Sequence, residues 1–133
     1  SMKVLIDEGA LYPDVLVTCG NAEAGDEQFI TDPKLIIEVL APNAGGYDKR
    51  CKFALYRTLP SLREYALVDS GTRQAEVFTM LESSDAWLFK DQSATQTLVL
   101  ESIGLTLPMA EIFTGVEANA ETKGHGYPVV RSA

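Results

Sequence analysis

Leu35-Ile36-Ile37-Glu38-Val39-Leu40, closed by Ala41-Pro42-Asn43, is the stretch that decides the fold. Its apolar run and proline stop read as a strand. Side chains alternate faces along a strand, so Glu38 shares its face with Ile36 and Leu40. No register gives this carboxylate a wet face with polar neighbours. Burying it unpaired would cost several kcal/mol, so a metal ion or a lysine is the expected compensation.

Outward from this strand, the chain alternates short strands with turns. Upstream, Lys3 to Ile6 reads as a strand turning at Asp7-Glu8-Gly9. Asp14 to Cys19 reads as a second, entered through Pro13 as proline prefers. The acidic segment Asn21 to Lys34 reads as a loop. Downstream, Asp48 to Leu59 is the best helix, with Asp48 at its start and Pro60 at its stop; Cys51, Leu55 and Leu59 form its apolar stripe. Glu64 to Asp69, Gln74 to Met80, Ala86 to Lys90 and Thr97 to Leu100 continue as an antiparallel meander, its first turn at Ser70-Gly71-Thr72. Leu107-Pro108 is expected to open a short helix through Phe113, with Pro108 at the favoured first position. Residues 1–114 thus read as one α/β (α+β) domain built on a mixed sheet. Residues 115–133 read as a flexible tail, in which Tyr127-Pro128-Val129-Val130 is able to dock.

Composition narrows the function. With 133 residues and 46% hydrophobic content, the chain can bury a real core. Its longest apolar runs are far short of a membrane span, and no signal peptide is visible, so a cytoplasmic protein is expected. Cys19 and Cys51 form no ligand pair, and His125 is the single histidine, which argues against structural zinc and leaves two buried free thiols as the plain reading. The net charge of −8 disfavours broad attraction to nucleic acid. Yet Lys49, Arg50, Lys52, Arg57 and Arg63 place five of the 11 basic residues within a short stretch, enough for a local basic face.

Asp14 opens a strand expected to lie beside that of Glu38. Two such carboxylates, with a backbone carbonyl and waters, satisfy a hard divalent cation such as Mg²⁺. Asp48 and Lys52 stand four apart on the helix, and Tyr56 extends their face by a turn. A nearby lysine can orient an attacking water, and a centre of this kind hydrolyses phosphodiesters.

Pro13-Asp14-Val15-Leu16-Val17, Ile37-Glu38-Val39-Leu40-Ala41-Pro42-Asn43, Tyr47-Asp48 with Lys52 and Tyr56, and Pro60 through Asp69 resemble, in this order, the Uma family of bacterial endonucleases (domain of unknown function 820). That family belongs to the restriction-endonuclease-like, or PD-(D/E)xK, superfamily, and the resemblance runs from about residue 12 to residue 113. It implies a restriction-endonuclease-like mixed sheet with flanking helices, short of the N-terminal part that relatives carry. It implies Asp14, Glu38 and the backbone carbonyl of Val39 as ligands of Mg²⁺ or Mn²⁺, and DNA as substrate. Where the superfamily pattern puts a lysine two residues after the glutamate, this chain has Leu40. Lys52 would then be the catalytic lysine, displaced from strand to helix, with Asp48 and Tyr56 accessory.

Read without the resemblance, Glu38 is an edge-strand or salt-bridged residue, Asp14 a strand-entry or turn residue, Asp48 a helix cap, Lys52 half of a surface pair with Asp48, Tyr56 a packing residue or a hydrogen-bond partner of the strand, and Trp87 core or sheet-face packing. Three functions compete: a metal-dependent DNA endonuclease, a catalytically inactive nuclease-fold module acting in binding or assembly, and a hydrolase of small phosphate compounds. A short chain with an uncovered sheet edge is also expected to form a homo-oligomer, a dimer or higher.

Overall fold

The computed structural model describes residues 2–7, 9–18, 29–40, 46–112 and 129–131, the backbone alone in 46–50 and 129–131. Five strands precede the helix: β1 (Lys3–Ile6), β2 (Gly9–Leu11), β3 (Val15–Thr18), β4 (Phe29–Ile30) and β5 (Pro33–Leu40). Helix α1 spans Gly46–Tyr56. After it come β6 (Glu64–Asp69), β7 (Gln74–Leu81), β8 (Ala86–Asp91), β9 (Thr97–Leu100), β10 (Leu105–Pro108) and β11 (Val129–Arg131).

The main sheet runs β11-β3-β5-β6-β7-β8. Its interior strand β5 is the apolar stretch with which the sequence reading began. It pairs antiparallel with β3 and parallel with β6, in the register Glu38↔Leu67. A parallel neighbour cannot be reached by a tight turn, so α1 makes the crossover. The expected meander holds for three strands, β6 against β7 and β7 against β8, both antiparallel, but not for Thr97–Leu100: β9 leaves the main sheet and pairs with β10 in a separate two-stranded sheet. The result is a mixed α+β fold, consistent with the restriction-endonuclease-like class.

Two cores flank the sheet. On one face Ile36, Leu40, Tyr65 and Leu67 pack beneath Phe53 and Tyr56 of α1 and beneath Met2, Val4 and Ile30 of the small sheet β2-β1-β4. Aromatic rings dominate there. Phe53 stacks on Tyr65 at 4.9 Å and on Phe78 at 4.6 Å, and meets Trp87 edge-on at 5.1 Å. On the other face Leu35, Ala66, Val68 and Val77 meet Leu98, Leu100 and Met109, delivered by the β9–β10 hairpin.

Several expectations need correction. The segment read as a loop from Asn21 to Lys34 contains β4 and the start of β5. Helix α1 ends at Tyr56, and it buries Phe53 and Tyr56, whereas Cys51 is exposed and Leu55 only half-buried. One tertiary fact reverses the stripe: the sheet face below α1 is lined by rings, and Phe53 is the side chain that stacks on them. Cys51 is therefore not a buried thiol; Cys19 lies outside the described residues. Leu107 and Pro108 close β10 rather than opening a helix, since Pro108 pairs with Thr97 at the hairpin's end; the helical turn is 109–112. Within the expected tail, Val129–Arg131 pairs parallel with β3.

Candidate metal centre at the end of β3

β3 begins at Val15, and its partner register with β5 runs Val15↔Ile37 and Leu16↔Ile36. One step further sets Asp14 level with Glu38. There the ladder changes hands: the N–H of Val39 donates to the Asp14 Oδ2 at 2.6 Å, a carboxylate standing where a strand carbonyl would otherwise accept. Leu40, the next residue, turns its carbonyl the other way and accepts from Ser70 N at 3.2 Å and Ser70 Oγ at 2.8 Å. Because backbone polar groups alternate sides along a strand, the Val39 carbonyl points with its own N–H toward Asp14. Asp14 is buried to 7% exposure, at the rim of the core.

Glu38 is fully buried, on the face covered by α1, as its alternation with Ile36 and Leu40 requires. The Tyr56 hydroxyl, equally buried, donates to Glu38 Oε1 at 3.5 Å. Burial pushes the Tyr56 phenol far above its ordinary range, and the negative charge of Glu38, then the neighbouring Tyr65 and the charge of Asp14, push the same way. Tyr56 therefore stays protonated at neutral pH and acts as a donor.

Asp14, Glu38, Val39 and Tyr56 thus come together. Lys52 lies half-buried on α1, one turn before Tyr56 and on the same helix face. The side chain of Asp48, like His125, lies outside the described residues. Among the described residues no group of three or more His, Cys, Asp and Glu gathers. The donors at hand are instead two carboxylates and one carbonyl, all hard oxygens. That set suits Mg²⁺, which takes one or two carboxylates and keeps several waters, and it does not suit zinc.

Sequence reading overlooked a second buried carboxylate. Glu64, at the start of β6, is as inaccessible as Glu38 but faces the other core. It accepts from Thr79 Oγ1 at 2.8 Å, Ser102 Oγ at 2.6 Å, Ser102 N at 2.9 Å and Glu101 N at 3.2 Å. The signal was the same as for Glu38, a carboxylate sharing a strand face with Ala66 and Val68. Four donors satisfy Glu64 internally, so it serves structure.

A family model described as "Putative restriction endonuclease", that of Uma2, matches residues 1–110. The chain belongs to the Uma2 family. The match includes Asp14, Glu38, Val39, Lys52 and Tyr56. Two curated Synechocystis sp. (strain PCC 6803) proteins are similar. "Uncharacterized protein slr1290" is 38% identical over 115 residues, covering 86% of this chain and 60% of its own length. "Uncharacterized protein sll1609" is 45% identical over 71 residues, covering 52% of this chain and 40% of its own length. The chain therefore spans 60% or less of the length of either relative.

Proposed function

We propose that this Uma2 chain is, or forms part of, a divalent-metal-dependent endonuclease that hydrolyses DNA phosphodiester bonds. What carries the reading is a costly side chain in a useful place. Glu38 is buried in an apolar strand, yet its carboxylate meets a phenol donor and lies level with Asp14 across the strand pair. Asp14, Glu38 and the Val39 carbonyl would hold Mg²⁺ or Mn²⁺. When bound, the ion supplies Lewis acidity at the phosphoryl oxygen.

The chain's own residues prepare for this. Tyr56 donates to one oxygen of Glu38. The Val39 N–H anchors one oxygen of Asp14 in the same way. Lys52 would orient the attacking water or meet the phosphate. Helix α1 and its ring cluster shut water out of the rear of the site, which strengthens every charge interaction within it. Work on DNA would place the protein in the bacterial cytoplasm, and no helix among the described residues is long and apolar enough to cross a membrane.

The test is nicking of supercoiled plasmid with Mg²⁺ or Mn²⁺, wild type against Glu38→Ala. Loss of nicking in the variant is expected; equal residual activity in both would refute the proposal. A second reading, a nuclease-fold module without catalysis, draws support from the net charge of −8, which opposes DNA approach. Calorimetric titration with Mn²⁺ separates the two, since a retired site binds no ion in an Asp14-dependent way.

A homodimer also belongs to this proposal. Strand β8 ends the main sheet, and Leu88 and Phe89 on it are exposed at 41% and 48%. Such an edge invites pairing with a second copy. Light scattering at high micromolar concentration should show the dimer, and a monomer there would contradict it.

A further inference from the structure

The small sheet β2-β1-β4 has a second face that the core does not use. Its inner face supplies Val4 and Ile30, at 0% and 2% exposure, to the core beneath α1. Alternation then turns Lys3, Tyr12 and Phe29 outward together. Lys3 pairs with Phe29 across β1 and β4, and the β1–β2 register Val4↔Leu11, carried one step on, sets Lys3 level with Tyr12. The three form a row across the sheet, ring, cation, ring. The Lys3 ammonium lies 4.8 Å from the Phe29 centroid and 5.9 Å from that of Tyr12. Both rings stay open to solvent, Tyr12 at 53% and Phe29 at 42% exposure.

One end of the row is tied by the chain to the candidate centre. Tyr12 is two residues before Asp14, a backbone reach of at most about 7 Å. That distance is roughly two nucleotide steps along a strand.

We infer that Tyr12, Lys3 and Phe29 form a stacking platform for unpaired bases of a nucleic-acid strand that flanks the scissile phosphate. The inference rests on the nuclease reading and adds to it where the strand lies. Its chemistry follows from the charge balance. On a chain of net charge −8, long-range attraction cannot supply affinity, so binding must come from short-range contacts. Base–aromatic stacking is such a contact, tolerant of sequence and independent of net charge. Lys3, already oriented by its two rings, supplies one local cation for a phosphate. A protein surface closing over the row would bury the Lys3 ammonium without an anion, which is costly. A nucleotide brings the stackable ring and the anion together.

The test measures binding without cleavage. Fluorescence anisotropy of a labelled oligothymidylate is followed in EDTA, at low salt, for the whole chain and for Tyr12→Ala, Phe29→Ala, Lys3→Ala and Tyr12→Phe. Each ring-to-alanine variant should weaken single-strand binding by about five- to a hundredfold. Tyr12→Phe should retain it. Lys3→Ala should lower the salt slope by about 0.7, as for one phosphate contact to a single strand. Ring variants that bind like wild type, absence of single-strand binding in the wild type, or ring variants that lose self-association instead would each overturn the platform. Plasmid nicking by the same wild-type preparation separates the two readings: a protein that nicks while its ring variants bind like wild type loses the platform alone, and one that binds through its rings without nicking loses the nuclease reading alone.

Discussion

Glu64 offers the cleanest measurement of what a satisfied buried carboxylate contributes here. Its Oε1 takes Ser102 N–H and the Ser102 hydroxyl, and its Oε2 takes the Thr79 hydroxyl and the Glu101 N–H. Glu64→Gln keeps the shape and one acceptor. The amide oxygen would stay with Ser102, whose bonds are the shorter pair on average, and the NH₂ would replace Oε2. The Thr79 hydroxyl can rotate and accept from it. The Glu101 N–H cannot turn, and it is left facing another donor. One orphaned donor costs about 1–3 kcal/mol, and the remaining bonds lose their charge assistance, so a loss of roughly 2–3 kcal/mol is expected. Glu64→Ala strips both backbone N–H groups of their acceptor and opens a cavity, for a loss of roughly 4 kcal/mol. Against a total of roughly 5–15 kcal/mol, either change is large. Urea denaturation followed by circular dichroism reads both. If both variants unfold within about 0.5 kcal/mol of wild type, the hydrogen-bond argument for Glu64 fails.

Other outcomes follow from the same geometry. Glu38→Gln retains an acceptor for Tyr56 and should stay folded while abolishing the Mn²⁺ titration signal; urea melts and calorimetry on one preparation check both. Phe53→Ala removes the ring that joins Tyr65, Phe78 and Trp87, and should cost about 3–5 kcal/mol in the same urea assay. Tyr56 is held protonated in the fold, with a folded pKa above its ordinary value of 10.0, so wild type should lose stability as pH rises past that value. Below it the unfolded phenol is protonated too and nothing is lost; above it the unfolded chain gains by ionising. Tyr56→Phe should show a shallower alkaline loss in pH-dependent thermal melts, and parallel curves would count against the buried phenol.

The central strand was legible because an apolar run of that length has few places to go. Alternation alone put Glu38 on the face of Ile36 and Leu40, and the structure keeps it there. The meander was legible for the same reason. The helix face was not, because Cys51, Leu55 and Leu59 satisfy helical spacing as well as Phe53 and Tyr56 do; only the rings of Tyr65 and Phe78 across the sheet decide between them. The two-residue β4 carries no period of its own, and pairing with β1 defines it. Glu64 and Glu38 look alike in sequence, since each is a carboxylate on an apolar strand face. What separates them is Thr79, Glu101 and Ser102 arriving from distant positions, which no local pattern announces.

On the proposed reading, Asp14 holds two offices that are easily mistaken for one. By accepting from Val39 N–H it splices the last rung between β3 and β5. A descendant that gave up chemistry would still keep an aspartate there, on pain of fraying the strand end. Glu38 enjoys no such protection. In a retired relative the surrounding hydrocarbon would favour its drift to leucine or methionine. If the proposed site is right, presence of the aspartate among kin is a poor witness of activity, and the glutamate is the position that would record it.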